Sequence, residues 1–129
     1  MTIELWTLMA VCALALFLSS VPLFRAMRLQ WGFKAMLGNR EGLSPLTGWG
    51  GRVVRAYGNT VDNIIFFAAV VLTAHHAGVS NDVTVAGALT FMACRIVYAF
   101  VYIRGIPVIR TVAYLGGVIG TLVIASQLF

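Results

Sequence analysis

Three stretches of this chain each run for about a bilayer's thickness without an Asp, Glu, Lys or Arg. They are Leu5 to Phe24 (20 residues), Asn63 to Asn81 (19) and Thr111 to Phe129 (19). A fourth stretch, Val83 to Ile103, is interrupted only by Arg95. A helix that crosses the hydrocarbon core needs about 20 apolar residues, and backbone in lipid must satisfy its polar groups within its own segment. The runs therefore predict four transmembrane helices, over roughly residues 3–27, 52–76, 82–104 and 107–128. The expected fold is an all-α integral membrane protein, a four-transmembrane-helix bundle. Composition agrees, because a chain that is 60% hydrophobic and 10% charged has too few charges to cover a soluble domain. The first run has no basic segment before it and no small-residue cleavage site after it, so it reads as a retained span and not a signal peptide. Little chain is left outside the spans, and residues 1–129 read as one domain with no repeat of fixed period.

The charges set an orientation. The first connection carries Arg25, Arg28, Lys34 and Arg40 against Glu41, then Arg52 and Arg55. The third carries Arg104 and Arg110, and the second has only Asp82 and the histidines of "HHAG". The first and third connections lie on one side of a four-span protein, and their Lys and Arg excess predicts that this side is cytoplasmic. Both termini then face the opposite side. The net charge of +5 is mostly this orientation signal. It is no nucleic-acid surface, because the arginines are interleaved with membrane-depth residues. Cys12 and Cys94 fall inside predicted spans and read as small apolar residues, not as a disulfide.

The stretch "RVVRAYGNTVDN" opens the second span with an unusual density of polar groups. At about 100° per residue, Arg52, Arg55, Asn59 and Asp62 share a stripe about 80° wide, and Phe66 extends it. Arg95, Tyr98 and Tyr102 form a similar stripe at the end of the third span. Arg110, Tyr114 and Gly117 share one side of the fourth. Three spans thus carry polar stripes in the same half of the bilayer, which predicts that they face one another, or a neighbouring subunit, around one wet cavity. Asp62 lies about 15 Å past Arg52, and Arg95 about 13 Å before Arg104, by the helical rise. Each charge alone would cost about 2.5–3.5 kcal/mol at that depth. The expectation is an ion pair between Asp62 and Arg95, with Asn59 and Tyr98 as hydrogen-bond partners. Arg52, Arg55, Arg110 and Arg28 have no matching carboxylates. Surplus arginine in a partly desolvated cavity calls for an anion, although Arg52 and Arg104 are also placed to snorkel to lipid phosphates.

These spacings resemble one family, the MAPEG proteins (membrane-associated proteins in eicosanoid and glutathione metabolism), in a bacterial-type member. Its second-helix signature reads, loosely, Arg-Ala-x-x-Asn-x-x-Glu after an upstream Arg, and falls here on Arg52, Arg55, Asn59 and Asp62. "RIVYAFVYIRGIPVIRTVAY" resembles the family's third-to-fourth-helix segment, matched at Arg95, Tyr98, Tyr102, Arg110, Thr111 and Tyr114. The resemblance implies a homotrimer with sites between adjacent subunits, towards the cytoplasmic side. It implies glutathione as co-substrate, whose thiolate is transferred to a lipophilic electrophile, reduces a lipid hydroperoxide or isomerises an endoperoxide. In that reading Arg110 stabilises the thiolate, with Thr111 as a hydroxyl donor. Arg52, Arg55, Asn59, Asp62, Arg95, Tyr98, Tyr102 and Tyr114 hold the peptide, and Arg28 or Arg25 reaches in from the next subunit. The lipophilic substrate enters from lipid between the first and fourth spans. Two positions depart from the family pattern: its Glu is Asp62 here, and a frequent His is Tyr57. The family includes a member that binds lipid mediators without catalysis, and Asp62 is compatible with that branch.

Two other readings compete. One is a noncatalytic lipid-binding or scaffold membrane protein of the same fold. The other is a small four-helix exporter, ranked last because an arginine-rich cavity repels cationic drugs and few carboxylates reach membrane depth. His75 and His76 are adjacent, diverge on a helix and make no metal site. Gly116 and Gly120, with Gly117 and Thr121, predict close helix packing. The Gly/Pro-rich segment 38–51 reads as a plain connection, and Pro22 as a bend in the first span.

Overall fold

Helix α1 (Ile3–Trp31) runs the length of the molecule and stops at Gly32, whose φ of 81° no other residue adopts cheaply. A short helix α2 (Phe33–Leu37) follows. Then come α3 (Gly48–His76), α4 (Asp82–Arg104) and α5 (Pro107–Ala125), which ends in a single 3₁₀ turn, Ser126–Leu128. This computed structural model describes residues 1–129. Four of the helices are long and apolar enough to cross a membrane, at the four places the apolar runs predict. Two of them extend beyond those bounds. Helix α1 carries its basic end on to Trp31, and α3 starts at Gly48 where residue 52 was expected. The segment between them is laced to α1. Gln30 Nε2 donates to Pro45 O at 2.9 Å, the Trp31 indole N–H to Ser44 O at 3.0 Å, and the Thr47 N–H to Gln30 Oε1 at 2.9 Å.

The up-and-down order puts the α1 end, the α3 start, the α4 end and the α5 start together at a basic end. Both chain termini lie at the other, terminal end. Phe67 and Phe91 stack there at 3.9 Å between centroids, within a dry core that includes Val11, Val71, Ala74, Ala88 and Ile124. Over half the surface of Leu16, Phe17, Phe66, Phe100, Leu115 and Leu122 is exposed, as on a face that meets acyl chains. Cys12 is exposed and Cys94 half-buried, both as free thiols. Cys12 is therefore no core residue, because it sits on the outer face of α1.

Helices α4 and α5 pack most closely, for a reason visible in the glycines. A methyl group on Gly87 would lie 2.7 Å from the Gly120 carbonyl oxygen, and one on Gly120 would lie 2.7 Å from that of Gly87. Only two hydrogen atoms facing each other allow that approach, the outcome expected of small residues at GxxxG spacing.

Glu4 is only 4% exposed, although its place beside the chain terminus gives no hint of burial. Its Oε1 accepts from Ser80 Oγ at 3.0 Å and from Thr84 Oγ1. Thr84 also completes the capping box of α4, accepting from the Asn81 N–H at 2.9 Å while Asn81 Oδ1 accepts the Thr84 N–H at 3.0 Å. The carboxylate thus sits beside the positive end of the α4 dipole and staples the start of α1 to the start of α4. Glu4→Ala should lower stability by about 1.5–3 kcal/mol, the range for hydrogen bonds to a charged group. Thermal unfolding in detergent measures this, and a variant as stable as the parent would refute the staple.

Candidate functional site

The turn "RGIP" builds the site. Gly105 ends α4 in the left-handed conformation at φ 79°, with its N–H bonded to Tyr102 O. The Ile106 N–H bonds to Val101 O at 2.9 Å, and Pro107 opens α5 at once. Glycine past a helix end and proline at the next helix start are the residues this reversal needs. The turn is so short that the end of α4 and the start of α5 lie side by side. Arg52 locks α3 to the same corner, its Nε donating to Ile103 O at 2.9 Å.

Five expected residues converge on a cleft of about 220 Å³: Tyr98, Tyr102, Arg110, Thr111 and Tyr114. The Arg110 guanidinium lies 4.7 Å from the Tyr102 ring centre. Tyr98 meets Tyr102 edge-on at 5.3 Å and Tyr114 at 6.5 Å. No carboxylate lines this cleft. The Thr111 hydroxyl donates back to Pro107 O at 3.2 Å, so it reaches the cleft as an acceptor. Tyr114 also lines a larger groove of about 570 Å³ between α3 and α5, headed by Asn59, Asp62 and Asn63 and walled by residues such as Phe66 and Leu122. Asn63 is a polar residue of this groove that sequence reasoning passed over, although it stands one turn beyond Asn59. Its Nδ2 donates to Asn59 O at 2.8 Å.

Arg95 stands behind both cavities and is fully buried. The expected ion pair with Asp62 does not form. Arg95 Nη1 donates to Asn59 Oδ1 at 3.1 Å and Nη2 to Tyr114 O at 3.3 Å. The rings of Phe91, Tyr98 and Tyr114 surround its guanidinium carbon at 5.5, 4.9 and 5.6 Å, while Nε has no partner. Asp62 is exposed in the groove. The physical reason is rotation. Three residues along a helix leave Asp62 about 60° away from Asn59, and the shorter Asp side chain does not reach back to α4. Of the two partners expected for the ion pair, Asn59 donates no charge but takes the hydrogen bond, and Tyr98 supplies a ring face.

The remaining expected residues lie elsewhere. Arg52 is spent on the α4 terminus. Arg55 is exposed and lines neither cavity, its Nη1 folding back beside Gly51. Arg28 is exposed near the end of α1, a helix that packs on α3 and α4. The four-residue polar stripe of α3 is therefore split, two residues heading the groove and two lying at the rim. The segment 38–51 rests on the end of α1 and lines no part of the cleft.

Gly117 makes the burial of Arg95 possible. A methyl group there would lie 2.8 Å from Arg95 Nη2 and 3.0 Å from Nε. Gly117→Ala should cost about 1–3 kcal/mol by overpacking. In a double-mutant cycle the cost should shrink when Arg95→Ala has already emptied the space. Equal costs in both backgrounds, from thermal unfolding in detergent, would show that the glycine serves something else.

Compared with models of protein families, residues 5–129 match the one described as MAPEG family, essentially the whole chain. No curated protein and no solved structure matches.

Proposed function

The chain belongs to the MAPEG family, and from that premise we propose that it is a glutathione-dependent membrane transferase or peroxidase acting on lipophilic electrophiles or lipid hydroperoxides. The observation that carries this reading is Arg110, a guanidinium with no carboxylate partner, set among tyrosine rings beside an apolar groove. A free thiol has a pKa near 8.5, so making it mostly thiolate at neutral pH takes a shift of about two units, or about 2.7 kcal/mol. A unit charge 4 Å away supplies about 1 kcal/mol in bulk water but about 4 kcal/mol at an effective dielectric of about 20. One arginine is therefore enough, provided that the site is partly dry, and the rings of Tyr98, Tyr102 and Tyr114 favour that condition.

The polar groups suit the rest of the tripeptide. Asn59 turns its Oδ1 to Arg95, which leaves its amide nitrogen to donate to a guest carbonyl or carboxylate. Asp62 is free to receive an ammonium. Tyr98 and Tyr102 offer hydroxyls. Arg110 holds the sulfur ionised. As the thiolate's electron pair forms a bond to an electrophilic carbon, the carbon's bond to its leaving group breaks, and the leaving group departs with that electron pair and the negative charge. With a hydroperoxide, the sulfur takes the distal oxygen, the O–O bond breaks and the alkoxide collects a proton. A second thiol then displaces water from the sulfenic acid to leave a disulfide.

A cleft of about 220 Å³ is below the about 300–1,000 Å³ of a pocket that encloses a small molecule, which favours a site completed by a neighbour. A homotrimer would supply it. A second protomer on the groove between α3 and α5 would cover Asp62 and Asn63 and could bring Arg28 or Arg55 within reach of the guest. The basic end would face the cytoplasm. The second reading, a noncatalytic lipid-binding membrane protein of this fold, is favoured by the Thr111 hydroxyl, which is engaged with Pro107 O.

The protein purified in detergent with glutathione should show the ultraviolet band of a bound thiolate, and Arg110→Ala should lose it. No glutathione binding at millimolar concentration would transfer the assignment to the lipid-binding reading.

A further inference from the structure

A second groove lies on the opposite side of α1 from the packed bundle. It has a volume of about 470 Å³ and runs from Ser19 and Ser20 past Leu23, Phe24 and Met27 to α2 and Arg40. None of its lining comes from α3, α4 or α5, and it is independent of the thiol site. Helix α1 has 29 residues, about 43 Å at the helical rise, against a hydrocarbon core of about 30 Å. Its last turns therefore stand in the headgroup layer. The groove begins at core depth beside Ser19 and Ser20, whose hydroxyls both donate to Leu16 O, continues along apolar side chains and ends in that layer at a cation.

Helix α2 makes it a groove. Gly32, at φ 81°, reverses the chain so that α2 folds against the end of α1. Met36 is buried by that fold, while Phe33 and Leu37 stay exposed at 58% and 74%. Phenylalanine and leucine that line a groove and also stand open are usual where a segment lies in the membrane interface. Arg40 follows in the left-handed region at φ 61°, its Nε directed to Met36 O at 3.4 Å. That bond engages one nitrogen and leaves both Nη groups free. Lys34 stands exposed on α2 itself. The stretch from Arg25 to Glu41 holds four cations, Arg25, Arg28, Lys34 and Arg40, against the one carboxylate of Glu41.

We propose that this groove binds one anionic phospholipid, with an acyl chain along α1 against Leu23, Phe24 and Met27 and the phosphate at Arg40, the basic residue that lines it. The order of surfaces, apolar deep and cationic shallow, is the order of a phospholipid. The cationic surplus selects lipids with net negative charge over zwitterionic ones that carry the same chains, because each basic residue near the surface favours an anionic leaflet by a factor of about five.

The test uses the full chain with Trp6→Phe and Trp49→Phe, which leaves Trp31 as the sole indole. Trp31 lies one turn beyond Met27 on the same face of α1. The protein is reconstituted in phosphatidylcholine vesicles that contain acyl-brominated phosphatidylglycerol or, separately, acyl-brominated phosphatidylcholine. Trp31 quenching gives a relative binding constant for the two lipids. The expected value is about five or more in favour of phosphatidylglycerol, falling towards one in Arg40→Ala. It should be kept when Arg104→Gln removes a basic residue of the same end that lies on α4, outside the groove. A ratio of one in the parent overturns the proposal, as does a ratio that survives loss of Arg40 or falls equally with Arg104→Gln. A neighbouring copy seated on the groove would give the first of these results.

Discussion

A buried guanidinium without a carboxylate is the constraint around which the basic half of the bundle is arranged. An arginine at membrane depth costs about 2.5–3.5 kcal/mol on the insertion scale, and Arg95 has no opposite charge to offset it. Its compensation is distributed: one side-chain amide from α3, one backbone carbonyl from α5 and three ring faces. A desolvated cation over an aromatic face gains about 2 kcal/mol, so three faces and two hydrogen bonds are of the right size to hold the charge. The charge itself is not cancelled. Tyr98 lies against Arg95 and edge-on to Tyr102, while Tyr102 lies under Arg110. Rings thus alternate with two guanidinium groups, and the cleft in front of them stays electropositive. A carboxylate partner for Arg95 would have quenched that field.

The glycines determine where the field is delivered. Gly87 and Gly120 bring α4 and α5 to backbone contact, and Gly117, one turn before Gly120, makes room for the guanidinium. The same close contact and the two-residue turn at Gly105 fix the register of α5 against α4, so that Arg110 comes to Tyr102. Helices α3 and α5 meet differently. Their facing residues include Asn59, Asp62, Asn63 and Thr121, and a groove stays open between them. One face of α5 is therefore closed by small residues and another is kept open by polar ones.

The helices were legible because hydrocarbon thickness fixes the length of an apolar run. The aromatic cleft was legible too, since Tyr98, Tyr102, Arg110, Thr111 and Tyr114 are close in sequence and a two-residue turn leaves them little freedom. The α3 stripe was legible only by angle. Periodicity says that Arg52, Arg55, Asn59 and Asp62 share a side of the helix. It does not say how α3 is rotated against α4, and a rotation of about 60° decides whether Asn59 or Asp62 meets Arg95. Glu4 was illegible for a related reason. Distance from the terminus measures depth along one helix, while its burial depends on Ser80 and Thr84, residues more than seventy positions away that only the packing of α1 on α4 brings near.

The two ends of the bundle do different work, and the difference follows from what each can leave unsatisfied. At the terminal end, Phe67 stacks on Phe91, and Glu4 is held by two hydroxyls at the start of α4. That end is closed on itself, with Glu4 Oε2 the one buried side-chain oxygen left without a partner. At the basic end, Arg110 has no anion, Asp62 has no cation, and the groove beside them is open. Free charges of both signs survive side by side at membrane depth only where water, a guest or another chain completes them, since acyl chains complete neither. Under the function proposed above, a thiol peptide with an ammonium and two carboxylates, or a second protomer facing the groove, would supply the missing partners without altering the dry half. The closed end therefore carries the stability that lets the open end remain incomplete.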